Sequence, residues 1–95
     1  MEFIHNNTQN DPHLKEEFMD TYLPKILSSK PFQRSRGSSK FLSFICKKTM
    51  EGKQDQLKEY TIAVDVFGKS PGFDPSTNAI VRIEANRLRK RLEQY

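Results

Sequence analysis

Ninety-five residues make one small domain, with room for a modest core and none for a deep substrate cavity, which argues against an enzyme. The formal net charge is +4 and the isoelectric point is near 9.3. The distribution of charge says more than its sum: from Thr21 to Met50 the chain carries Lys25, Lys30, Arg34, Arg36, Lys40, Lys47 and Lys48 and no acidic residue, so a polyanionic partner is the economical explanation.

In chain order, residues 1–10 are polar, asparagine-rich and without periodicity, which predicts a disordered tail ahead of a domain over residues 11–95. The start lacks the basic segment and apolar run of a secretory signal. No window approaches the ~20 apolar residues that span a bilayer, so a cytoplasmic setting without membrane contact is expected. Asp11-Pro12 is a cap followed by a proline. The stripe Leu14, Phe18, Tyr22, with Met19 and Leu23, predicts a helix that kinks or stops at Pro24 and continues as a second piece through Ile26 and Leu27. Ser28-Ser29-Lys30-Pro31 ends that piece.

The next helix is predicted to begin within Ser35–Ser39 and to run through Phe41, Leu42, Phe44, Ile45, Cys46 and Met50 to a stop at Gly52. Cys46, the single cysteine, reads there as a small buried hydrophobe, and no disulfide can form within the chain. A polar loop over Gly52–Gln56 leads into Leu57–Gly68. The β-branched content of that stretch favours strand, whereas Tyr60, Ala63, Val64 and Phe67 share a helical face and Gly68 suits a helix C-terminus; helix is the reading adopted. Lys69–Asp74 makes a short turn, after which Asp74 as N-cap, or Ser76 or Thr77, opens the last helix, taken as residues 76–95.

At 100° per residue that helix sets Val81, Ala85, Leu88, Leu92 and Tyr95 in one arc facing the core. Arg82, Asn86, Arg89 and Lys90 lie opposite, with Ile83 and Arg87 at one margin and Ile80 and Arg91 nearer the apolar boundary. A short helix ending in glycine, a turn and a longer basic amphipathic helix outline a helix-turn-helix within an all-α bundle, the second helix entering the major groove of double-stranded DNA. Arg82 and Asn86 are the base-reading candidates, because arginine can donate twice to guanine and asparagine pairs with adenine. Arg89 and Lys90, farther along, suit phosphate. The cluster Arg34, Arg36, Ser38 and Lys40 falls at a predicted helix N-terminus, where free N–H groups and hydroxyls could grip a phosphate, or where a serine simply caps the helix.

The stretch Ile26 to Tyr95, and in it Leu57-Lys58-Glu59-Tyr60, Val66-Phe67-Gly68, Phe73-Asp74-Pro75 and the Ile80-Val81-Arg82 to Leu92 segment, resembles the amino-terminal domain of bacterial regulators that often carry tetratricopeptide repeats or adenylate-cyclase-like regions. More distantly, Val66-Phe67-Gly68 followed by residues 78–94 is similar to the helix pair of OmpR- and ToxR-type winged-helix domains. The resemblance implies transcription regulation, with Arg82, Asn86 and Arg89 on the matching helix. In winged helices a β-hairpin follows that helix, and here no sequence remains after Tyr95 to build one. The wing is expected to be absent, or, preferably, the chain is part of a longer regulator.

Other classes carry weaker patterns. His5 and His13 lie in or beside the tail, Asp11, Glu16, Glu17 and Asp20 read as a solvated acidic face, and the glycines are too scattered for a phosphate loop; no cofactor or metal is expected. The serious competitor is a protein-interaction module in which the terminal amphipathic helix pairs with a second copy. RNA ranks below both, since no exposed aromatic platform is evident.

Overall fold

The structure, a computed structural model, describes residues 12–95. The tail expected over residues 1–10, His5 within it and the Asp11 cap lie outside the described residues. Those described form a small all-α bundle with no strand among them. The first helical stretch changes register twice: α1 (Pro12–Glu17), a π-helical turn (Phe18–Tyr22) and α2 (Leu23–Ser28). The chain therefore neither stops nor breaks at Pro24. Leu23 donates its N–H to the Phe18 carbonyl, one residue farther back than in an α-helix, and Pro24 falls in the first turn of α2, where its missing donor is not needed. Leu23 is buried and Phe18 and Met19 pack on the core, whereas Leu14 and Tyr22 of the expected stripe stay exposed.

Ser29 is extended and breaks the helix as its Ser-Ser-Lys-Pro setting predicts; the short α3 (Lys30–Gln33) then plants Phe32 in the core. Ser35 caps α4 (Arg36–Met50), its side chain accepting the Ser38 N–H at 3.1 Å. At the other end Gly52 takes a φ of 73°, and the bonds Lys53 N–H to Lys48 carbonyl and Gly52 N–H to Thr49 carbonyl close the left-handed stop that the sequence predicts. Phe41 and Leu42 of α4 are buried, and the Phe41 ring meets the edge of Phe67 at 5.5 Å between centroids. Cys46 is half-buried, and burial pushes its thiol pKa up, in keeping with a packing role.

After a 3-10 turn (Gln54–Gln56) comes α5 (Glu59–Asp65), so the ambiguous stretch is helix. Its buried face is Ile62, Ala63 and Val66 rather than the arc through Tyr60 and Val64. Tyr60 is exposed, and its hydroxyl donates to the Pro71 carbonyl at 2.9 Å, pinning the following loop. Gly68, at φ 66°, turns the chain out of α5.

The last helix, α6 (Ile80–Gln94), starts later than the residue-76 boundary that the sequence suggests. Asp74 is not its cap. The Asp74 carboxylate accepts the Ser76 N–H and hydroxyl, and the Asn78 side chain accepts the Ile80 N–H, so both bond backbone two residues on and hold residues 74–79 in turns instead of a helix. The connection from α5 to α6 is thus a long loop, not a turn of a few residues. Helix α6 packs against α3, α4 and α5 together and is the axis of the bundle. Val81 and Leu88 are buried and Ala85 half-buried as expected, but Leu92 and Tyr95 at the end of the stripe are exposed because the neighbouring helices do not reach them.

Candidate nucleic-acid interface

With Val81 and Leu88 turned inward, Arg82, Asn86, Arg87, Arg89 and Lys90 are all exposed, and so are Arg34, Arg36 and Lys40 around the start of α4. These basic groups differ in what holds them. Arg82 donates from Nη2 to the Pro75 carbonyl at 2.9 Å and stands 3.7 Å from Glu59 Oε2 through Nη1. That carboxylate oxygen is buried and accepts no hydrogen bond, so it is compensated by the ion pair and by its place in the first turn of α5. Arg87 makes a 2.9 Å bond to Glu84 one turn earlier, and Arg89 donates to the Asn86 side-chain oxygen. Lys90, Arg34, Arg36 and Lys40 have neither an ion pair nor a side-chain hydrogen bond.

Glu84 joins the two basic groups in space. One of its oxygens holds Arg87; the other lies 3.6 Å from where a Cβ on Gly37 would stand, at the N-terminal turn of α4. A carboxylate there complements the positive end of the helix dipole. It also brings the Glu84 to Arg87 margin of α6 next to the N-terminal turn of α4. A shallow groove of about 430 Å³, lined by Arg36, Lys40 and Phe44 with Asp65 opposite, runs beside them.

The phosphate grip expected of Ser38 is not available. Ser38 has 0% exposure, its N–H is spent on the Ser35 cap, and its hydroxyl accepts from Arg91 Nε at 3.1 Å. The Ser39 hydroxyl is likewise turned inward, to the Phe32 carbonyl. What the α4 start offers a polyanion is therefore three exposed cations, Arg34, Arg36 and Lys40, and no hydroxyl cradle. Arg91, at the margin between the two faces, is drawn inward, adding a 2.8 Å bond to the Pro31 carbonyl. Its position beside the apolar boundary is legible from helical angles, and so is the Glu84 to Arg87 pair at i, i+3. The Glu59 partner of Arg82 and the Pro31 and Ser38 partners of Arg91 join residues far apart in the chain and have no local signal.

Among the described residues no group of three or more histidines, cysteines and acids could hold a metal ion, and no helix is long and apolar enough to cross a membrane. Compared with protein-family models, with curated proteins and with solved structures, the chain gives no match.

Proposed function

We propose that the chain binds double-stranded DNA as a transcriptional regulator's DNA-binding domain, with α6 as the recognition helix and α5 bracing it. The observation that carries the reading is the outward face of α6, where Arg82, Asn86, Arg87, Arg89 and Lys90 are exposed together while the opposite face is committed to the core. Arg82 and Asn86 are the base readers; Arg87, Arg89 and Lys90 meet phosphates on one flank, and Arg34, Arg36 and Lys40 extend the same contact at the start of α4. The likeness to helix-turn-helix regulators supports this assignment through motif positions alone, and the long α5 to α6 loop is its main departure from a tight helix-turn-helix.

The test is duplex binding followed by fluorescence anisotropy, on a sequence selected from a random library, across salt concentrations. If all six of these cations meet phosphates, log affinity falls with log salt at a slope near −5.4, from roughly 0.9 per contact. Arg82→Ala should alter sequence preference, whereas Lys90→Ala should weaken all duplexes alike and shorten the slope by about one contact. Absence of duplex binding at low salt refutes the proposal.

One observation favours a second reading. Leu92 and Tyr95, 39% and 58% exposed, prolong the apolar stripe beyond the bundle and would suit pairing with a second copy. Most of the stripe is already spent on the chain's own core, so the paired surface would be this end alone. Sedimentation of Leu92→Glu against wild type decides between a monomer and such a dimer.

A further inference from the structure

On the outward face of α6 stands one aliphatic side chain, Ile83, 49% exposed. In helical projection it points about 160° from the buried Val81 and about 140° from Leu88, so it is not a slipped core residue. By the same projection it lies between Lys90, about 20° to one side, and Arg87, about 40° to the other, with Asn86 about 60° away in the next turn. No neighbouring element covers it, although Ile80 and Ala85 of the same helix are half-buried on the core. An isoleucine ringed by two cations and an amide meets a polyanion at every edge, and the surface it touches must itself offer an apolar point inside a charged setting.

The major groove has one such point. Among the groups that base pairs expose there, the C5-methyl of thymine is the apolar one, surrounded by hydrogen-bonding edges and flanked by phosphates. Building on the duplex reading above, we infer that Ile83 is a specificity-determining residue that contacts a thymine methyl, next to the base pair addressed by Asn86. A helix laid in the groove with Asn86 facing a base edge carries Ile83 to the floor of the same groove, one turn nearer its N-terminus. Arg87, on the side of Ile83 away from Asn86, and Lys90, two turns farther along where a straight helix leaves the groove, then fall toward phosphate.

The contact is tested by replacing, one at a time, each thymine of the selected duplex with deoxyuridine, which keeps every hydrogen-bonding group and removes only the methyl. Wild type should lose about fourfold in affinity at one position, the worth of one buried methyl-sized group. Ile83→Ala should bind the thymine and deoxyuridine duplexes equally well, and Ile83→Val should retain part of the difference. Because Ile83 is exposed, these variants should melt with wild type, which separates a lost contact from a lost fold. The inference is overturned if no thymine discriminates, or if Ile83→Ala discriminates as strongly as wild type. It is also overturned if Ile83→Ala changes the sedimentation coefficient without changing the deoxyuridine effect, the mark of a protein contact. Salt-dependent duplex binding that is blind to every methyl removes this inference and leaves the duplex reading standing, whereas a wild type that binds no duplex removes both.

Discussion

Replacing Arg91 with methionine isolates what the one inward arginine does. Its Nε donates to the Ser38 hydroxyl at 3.1 Å and its Nη1 to the Pro31 carbonyl at 2.8 Å, tying α6 to the start of α4 and to α3. Ser38 has no exposure, so water cannot replace the lost donor there. A hydrogen bond to a charged group contributes about 1.5–3 kcal/mol, and discounting for the half-exposed guanidinium, loss of both should cost about 2–4 kcal/mol. For a domain of this size each kcal/mol lowers the Tm by roughly 4–8 °C, so a fall of roughly 8–32 °C is expected in a thermal melt followed by circular dichroism. Ser38→Ala removes one acceptor and should cost about 1 kcal/mol, and the double variant should lose less than the sum because the two share a bond. Arg91→Lys should recover only part, since an ammonium cannot serve both acceptors at the guanidinium's spacing. A melt of Arg91→Met within 3 °C of wild type, a shift below about 1 kcal/mol on that scale, would refute the clamp.

The remaining expectations concern charge and backbone. Glu59→Gln removes the carboxylate that faces Arg82 at 3.7 Å and should raise duplex affinity about two- to fivefold at low salt, the equivalent of one ion pair whose cation is exposed; unchanged or weaker binding counts against a DNA-facing Arg82. Gly68→Ala has space for its methyl group but must adopt a φ of 66°, and should lose about 1 kcal/mol in chemical denaturation, whereas Gly72→Ala, with open space and no such φ, should lose less. The Ser76 hydroxyl and N–H hold the Asp74 pKa below the ordinary carboxylate value. With the folded value depressed, the Asp74 contribution is present above the unfolded-state pKa and is lost as pH falls through the folded one. Ser76→Ala should move the Asp74 titration upward in NMR, and an unmoved titration contradicts the turn.

The parts legible from sequence were those fixed by short-range rules. Ser35 as the cap of α4, Gly52 and Gly68 as left-handed stops, and the inward Val81 and Leu88 all follow from cap chemistry or 3.6-residue spacing. The start of α6 differs from the sequence expectation because Asp74-Pro75 satisfies the same cap rule yet its carboxylate is engaged locally by Ser76, and a cap rule cannot tell which N–H the carboxylate will take. At the α4 start the serine cluster was read as a possible phosphate grip because the depth of Ser38 depends on α6 packing over it. The exposed end of the α6 stripe has a similar origin: periodicity assigns a face to Leu92 and Tyr95, but only the reach of the neighbouring helices decides whether that face is covered.

The arginines of α6 divide by the strength of what holds them, so the helix can serve the fold with one and leave the others exposed. The arginine sides of the Arg82 and Arg87 ion pairs are 58% and 62% exposed, although the carboxylates they meet, Glu59 and Glu84, are 29% and 18% exposed, so each pair contributes about 1 kcal/mol. Such contacts limit the rotamers of a long side chain without competing seriously with a phosphate or a base edge, which offers a second charge or a bidentate geometry. Holding the side chains beforehand reduces the ordering cost of about 2 kcal/mol that a free arginine carries in rotamer entropy. Arg91 differs in being drawn inward itself: it is only partly exposed and donates to two acceptors, of which Ser38 is fully buried. If the exposed set were as tightly bound as Arg91, α6 would be basic in composition and inert toward polyanions; because it is not, the positive charge of this face remains available outside the protein.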